Sequence, residues 1–299
     1  RLTSAGDGNF TWIAGVSYYK DKVDTQDDTL ITNAIDLLYL SFGIDFADTP
    51  TGLGAVSSAT STYVQKTKAY GLFGHTEWLL SDQWRLIGGL RYSNEKREFT
   101  GTSIDNEGFI AGVPGPVALA ALDDSKTKGH FDGKIGVDYM PTDDSLIYAS
   151  ISTGFKSGVF YASTGPSQEA WGYVDPETLT AYELGFKSTL GEGTVQFNGA
   201  AYFYDYEDKQ FLAAIDTPFG DAASLGNVPK AEITGAELEL WWKPAAGLDL
   251  KAGVAYLDTE ITEPPTSIRG IPFVGSLTKG DELSFSPEWS YNLLARYGW

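Results

Sequence analysis

The sequence predicts an all-β fold, the wall of a transmembrane antiparallel β-barrel with about ten strands, short turns at one end and long loops at the other. Three observations predict it. Apolar and polar residues alternate one by one, which puts successive side chains of an extended chain on opposite faces. The connections alternate short and long: Ala5-Gly-Asp-Gly-Asn9, Leu80-Ser-Asp-Gln83, Pro141-Thr-Asp-Asp-Ser145, Gly191-Glu-Gly193 and Pro244-Ala-Ala-Gly247 are short, while 21–62, 98–128, 158–177, 213–230 and 263–284 are long. Finally, Trp12, Trp78, Trp84, Trp241 and Trp242 all lie within a few residues of short turns, where an interfacial aromatic girdle belongs.

The elements follow in order. Arg1-Leu-Thr-Ser4 reads as the last residues of a strand, and 10–20 and 66–79 as the next two. In 84–93, Leu86, Gly88, Leu90 and Tyr92 oppose Arg85, Ile87, Gly89 and Arg91. Residues 130–139 alternate fully, with Phe131, Gly133, Ile135, Val137 and Tyr139 on one face and His130, Asp132, Lys134, Gly136 and Asp138 on the other. After a strand near 146–157, 180–188 splits Tyr182, Leu184 and Phe186 from Glu183, Gly185 and Lys187. In 194–206, Val195, Phe197, Gly199, Ala201 and Phe203 oppose Gln196, Asn198, Tyr202 and Tyr204. Ala236, Leu238, Leu240 and Trp242 oppose Gly235, Glu237 and Glu239; Leu248, Leu250, Ala252, Val254 and Tyr256 then oppose Asp249, Lys251, Gly253 and Ala255. A last strand runs near 286–299.

A soluble antiparallel sandwich also alternates, but five long loops on one side with tight turns on the other suit a membrane better. About nine to eleven tilted residues cross the hydrocarbon as a strand, whereas a helix needs about 20 apolar residues, and no such run occurs. The asymmetry also orients the chain, because outer-membrane barrels keep tight turns on the periplasmic side and long loops outside. The formal net charge of −19 speaks against nucleic acid as a partner. The absence of cysteine suits an oxidising compartment.

Leu146-Ile-Tyr-Ala-Ser-Ile-Ser-Thr-Gly-Phe-Lys-Ser-Gly158, followed by Pro176-Glu-Thr-Leu-Thr-Ala-Tyr-Glu-Leu-Gly-Phe-Lys-Ser188, resembles the barrel of TonB-dependent outer-membrane receptors, in which such strands recur in this order. Ala69-Tyr-Gly-Leu-Phe-Gly74, Gly89-Leu-Arg-Tyr92, Asn198-Gly-Ala-Ala-Tyr-Phe-Tyr-Asp-Tyr206, Gly235-Ala-Glu-Leu-Glu239 and Pro287-Glu-Trp-Ser290 extend the resemblance over nearly the whole chain. Val159 departs from it where a second glycine is usual. The resemblance implies a 22-stranded barrel plugged by an amino-terminal domain. Residues 1–299 are then expected to be a part of that barrel, without plug or closing strands. It further implies energy-coupled import of a scarce ligand, a ferric siderophore first, with the TonB complex as partner through an amino-terminal region. Lipid and lipopolysaccharide are the expected surroundings. The alternative is a small complete barrel acting as a passive pore or surface-binding protein; the alternating, aromatic-ended Tyr291 to Trp299 segment supports it.

Candidate site residues fall into two sets. Arg85, Arg91, Asp132, Lys134, Glu183, Lys187, Glu237, Glu239 and Lys251, with Asp249 and Arg296, are expected to face the lumen, as solvated charges or contacts for a plug. Phe160, Tyr161, Trp171 and Tyr173 are loop aromatics that suit a planar or sugar ligand, an outer girdle or loop packing. The acidic run Asp24-Thr-Gln-Asp-Asp28, with Asp21, Asp36, Asp45 and Asp48 nearby, offers carboxylates to divalent cations that bridge to lipopolysaccharide. It lacks the spacing of a dedicated calcium loop, so a solvated charge run is expected. His75 and His130 are isolated, and without cysteine or a glycine-rich phosphate loop the chain is expected to be no enzyme and to hold no resident metal or cofactor.

Overall fold

A computed structural model describes residues 1–4, 8–31, 57–106, 115–162, 168–217 and 220–298. The wall consists of a stub, β1 (Leu2–Thr3), and ten long strands: β2 (Phe10–Ile31), β3 (Ser57–Ser81), β4 (Trp84–Asp105), β5 (Val117–Thr142), β6 (Ser145–Lys156), β9 (Glu177–Leu190), β10 (Val195–Thr217), β11 (Gly220–Ala245), β12 (Leu248–Glu263) and β14 (Trp289–Tyr297). Each pairs antiparallel with its neighbour in chain order, and β14 does not pair with β1, so the sheet is open. Between β6 and β9 lies a small separate hairpin, β7 (Val159–Tyr161) and β8 (Gly172–Val174), with one 3-10 turn at Gln168–Ala170. The two-residue β13 (Phe273–Val274) pairs with β10.

Register carries the alternation around the wall. One row runs Phe10, Trp78, Leu86, Val137, Ala149, Leu184, Ala201, Ala236, Tyr256 and Trp289. The neighbouring row on the other face runs Leu79, Arg85, Asp138, Tyr148, Gly185, Ala200, Glu237, Ala255 and Ser290. The first face is apolar and open, with Val16, Leu72, Leu90, Phe131 and Ile135 all exposed. Such a surface is stable only against hydrocarbon.

Two of the five predicted long loops, 98–128 and 213–230, are in large part strand, and two more carry strand. β2 runs on to Ile31 and β3 starts at Ser57, inside the 21–62 loop; β4 and β5 take up 98–105 and 117–128; β10 and β11 pair from one end of 213–230 to the other, down to Thr217↔Gly220. The 158–177 loop carries the β7–β8 hairpin. The reason is physical. Above the bilayer both faces can be wet, so the apolar and polar alternation that marks a strand in lipid fades. Backbone donors and acceptors still need partners, and the ladder continues to provide them. At 22 to 26 residues, β2–β5 are about twice the length a bilayer requires.

The polar face is the concave one. β4 and β10 stand four strands apart in the sheet, yet Phe99 of β4 and Ile215 of β10 belong to one buried cluster. Phe160, Ala170, Trp171 and Ile268 fill the gap between them. Such a contact closes only if the sheet curls towards the face carrying Phe99, which is also the face of Arg85 and Arg91.

Candidate functional site

The site has two tiers, a polar inner wall and the aromatic cluster above it. On the wall, register places Arg85, Arg91, Asp132, Lys134, Glu183, Lys187, Glu237, Glu239 and Lys251 on the same face. Adjacent members compensate one another. Arg85 donates to Asp138 Oδ2 at 2.9 Å and 2.5 Å and to Glu77 Oε2 at 3.3 Å. Arg91 lies opposite Asp132, donates to Ser93 Oγ at 2.9 Å and stacks over the Phe73 ring at 6.0 Å. Arg296 pairs with Asp249 at 2.6 Å.

Tyrosines absent from the sequence-derived list complete this tier. Tyr148 donates to Glu183 Oε1 at 2.6 Å, and its ring lies over Gly185, where a Cβ would meet it at 2.6 Å. Tyr202 covers Gly235 in the same way at 2.4 Å and stacks on Tyr204 at 4.7 Å. At both positions a larger side chain would have to displace the ring that occupies its space. The legible signal is Tyr202-Phe-Tyr204, whose spacing puts two rings on one face of a strand. Tyr148, Lys187, Asn198, Glu237 and Glu239 line a recess of about 210 Å³ on this wall.

Trp241 corrects the girdle expectation. Trp12, Trp78, Trp84 and Trp242 lie exposed on the apolar face beside short turns. Trp241 pairs with Gln196 and Lys251 on the polar face instead, because adjacent residues of one strand cannot share a face. Its ring accepts Lys243 at 4.2 Å and Lys251 at 5.7 Å as cation–π partners. Together with Asn198, Glu239 and Asn292 it lines a second recess of about 380 Å³.

In the upper tier, Phe160 and Trp171 are each 4% exposed, packed on Phe99 with centroids 5.4 Å and 5.8 Å away. Both rings are buried in this cluster. Tyr161 and Tyr173 are only half-buried, and burial raises the pKa of both phenols. Arg269, with φ of 51°, ties the tier together by donating to the carbonyls of Leu225, Glu169 and Ala170 at 2.9, 3.0 and 3.1 Å and to Ser224 Oγ at 2.6 Å. Burial pulls its pKa down, opposed by the nearby Tyr161. Gln210 bridges the carbonyls of Ser157 and Asp175, each at 3.0 Å.

The acidic run lies on β2 and not in a loop. Asp24 pairs with Lys22 at 2.9 Å, and Asp28 accepts from Thr60 Oγ1 at 2.8 Å. Among the described residues no three His, Asp or Glu side chains gather as metal ligands. Asp36, Asp45, Asp48 and Trp299 lie outside the described residues. His75 and His130 both sit on the polar face, beside Glu77 at 3.4 Å and Asp132 at 3.5 Å.

Comparison with known proteins agrees with this geometry. The family described as "TonB dependent receptor-like, beta-barrel" matches residues 2–299. The pesticin receptor of Yersinia enterocolitica serotype O:8 is 28% identical over 79% of this chain and 33% of its own length. The probable TonB-dependent siderophore receptor PiuA of Acinetobacter baumannii is 23% identical over 78% and 29%. The chain thus spans about a third of the length of the curated relatives it matches. Among solved structures, PiuA superposes with a TM-score of 0.69 at 18% identity, over 98% of this chain and 42% of that one. The ferric yersiniabactin uptake receptor FyuA of Yersinia pestis gives 0.67 at 19%, over 97% and 37%. An open wall with an apolar outside, a charged concave inside and long outward strand extensions is therefore placed in the Gram-negative outer membrane, and the chain belongs to the TonB-dependent receptor β-barrel family.

Proposed function

We propose that this chain forms part of the wall and extracellular mouth of an energy-coupled importer whose cargo is a ferric siderophore. The observation that carries the reading is the match of the family over residues 2–299, on a wall whose concave face is charged from β3 to β12. Relatives described as a siderophore receptor and a ferric yersiniabactin uptake receptor support the cargo class. In this reading the wall belongs to a 22-stranded barrel. Its inner charges hold an amino-terminal plug, and the TonB complex acts through a segment ahead of that plug. The open sheet, in which β14 and β1 remain unpaired with each other, supports a larger barrel over a small closed pore.

At the mouth, the buried Phe160 and Trp171 hold the hairpin in place, and the half-exposed Tyr161 and Tyr173 are the members of that set with surface to offer a cargo. The test is uptake of iron-labelled siderophores by cells with and without the full-length gene, in TonB-positive and TonB-negative backgrounds. Uptake that needs both is expected. Entry that survives loss of TonB would overturn the reading in favour of passive passage.

A further inference from the structure

The outward face of β2, β3 and β4 changes character abruptly just above its apolar band. Val16, Leu72, Tyr92 and Phe131 form one exposed row, and Tyr18 and Tyr70, with rings 5.1 Å apart, the next. Two residues further along each strand, about 7 Å higher, Lys20, Lys68 and Lys96 stand directly opposite one another. The row above sets Lys22 beside Lys66, followed by Glu98. All five lysines are exposed.

Like charges placed directly opposite each other in a sheet destabilise it, and here they do so on a chain whose formal net charge is −19. Internal pairing offsets only part of the cluster. Lys22 takes Asp24 at 2.9 Å and Lys96 takes Glu98 at 2.6 Å, while Lys20, Lys66 and Lys68 make no ion pair with a described residue. The feature is confined to one sector. On the far side of the wall the corresponding outward row above Ile151, Tyr182 and Phe203 is acidic, running Asp205, Glu232 and Glu260. A general need for solubility above the membrane would not separate the signs in this way.

We propose that Lys20, Lys66 and Lys68, flanked by Lys22 and Lys96, form a docking site for the phosphate groups of an outer-leaflet glycolipid. The occupant follows from position and charge. The patch lies on the lipid-facing side, at headgroup height above a tyrosine belt, and clustered ammonium groups attract membrane phosphates. The inference rests on the outward facing of these strands and not on the import reading.

The test uses the full-length protein in detergent, titrated with a bisphosphorylated lipid A and with the same glycolipid stripped of its phosphates, binding being read by native mass spectrometry. The triple substitution Lys20→Gln, Lys66→Gln, Lys68→Gln is expected to weaken binding of the phosphorylated lipid about 100-fold, and Lys68→Gln alone about fivefold. The triple arginine variant should bind as the parent does, and the stripped lipid should bind parent and glutamine variant equally weakly. Inorganic phosphate at matched ionic strength should leave the lipid bound. Unchanged affinity in the glutamine variants overturns the site, and displacement by inorganic phosphate overturns the lipid assignment in favour of a free-anion site. Siderophore uptake by the glutamine variant is expected at the parental level. Absence of uptake in the parent strikes the import reading and leaves this site standing.

Discussion

Within the bilayer and above it, β3 and β4 keep one face inward but reverse what that face carries. In the lower part of β4, Leu86, Leu90 and Tyr92 point outward, while Arg85 and Arg91 point into the concavity. Fourteen residues after Arg85 on the same inward face, Phe99 is 1% exposed in the extracellular cluster, and outward Lys96 now meets water. β3 repeats the reversal, with Leu72 outward below and Tyr63 inward above. The lesson concerns solvent. Hydrocarbon surrounds the lower wall and rewards an apolar outside, whereas water surrounds the upper wall, so apolar groups can leave it only by turning inward.

The largest expected effect tests the upper half. Phe99→Ala should destabilise the extracellular tier by about 3–5 kcal/mol, since the ring is enclosed by Tyr63, Phe160 and Trp171. Loss of hydrogen-exchange protection across β4, β7 and β8, with the lower wall unaffected, is the expected pattern. Protection that survives would mean the cluster does not hold the tier. Next comes the lower half: Ile135→Arg, 76% exposed on the outward face, should cost about 2–4 kcal/mol in a bilayer unfolding titration. Leu250→Arg, in the row of Trp242 near the β11–β12 turn, should cost only about 0–1 kcal/mol. Equal costs would contradict this assignment of depth.

The lower wall was legible in the sequence and the upper tier was not, for the same reason. Alternation such as Phe131 to Tyr139 records lipid on one side, so strands and their two faces could be read directly. Thr60-Ser61-Thr62 or Ala213-Ala214-Ile215 carries no such record, and these strand extensions read as loops. At Asp208, opposite Pro229, a φ of 53° interrupts the β10 ladder; Gln210 and Ile215 are buried beyond it and Leu212 is exposed. A positive φ at a non-glycine residue leaves no reliable mark in sequence. The aromatic hairpin posed a different difficulty, because Phe160 and Trp171 suit a ligand surface or a core equally well until a partner such as Phe99 is known.

Arg269 links the two loops that sequence left apart. Arg269→Ala strands the carbonyls of Leu225, Glu169 and Ala170, and should cost about 1.5–3 kcal/mol locally, as charge-assisted bonds to partly buried acceptors do. Faster proteolysis near Gln168–Ala170 is the expected readout, and an unchanged cleavage rate would remove Arg269 as the clip.

The smallest effect sharpens the comparison most, because it asks whether charge on either wet face matters to folding. Lys134 is exposed on the inner face of the lower wall, and Lys68 is exposed on the outer face above the band. Neither has an ion-pair partner among the described residues. Lys134→Ala and Lys68→Ala should therefore each fall within about 0.5 kcal/mol of the parent in the same titration. Parity alone would predict an unequal pair, near-neutral at the inward Lys134 and stabilising at the outward Lys68, where loss of a charge from a lipid-facing position is a gain. Equal, small effects would show that contact with water, and not facing, sets the energetics of this wall; a gain above about 1 kcal/mol at Lys68 only would mean that the lipid band reaches higher than the Tyr18 and Tyr70 row.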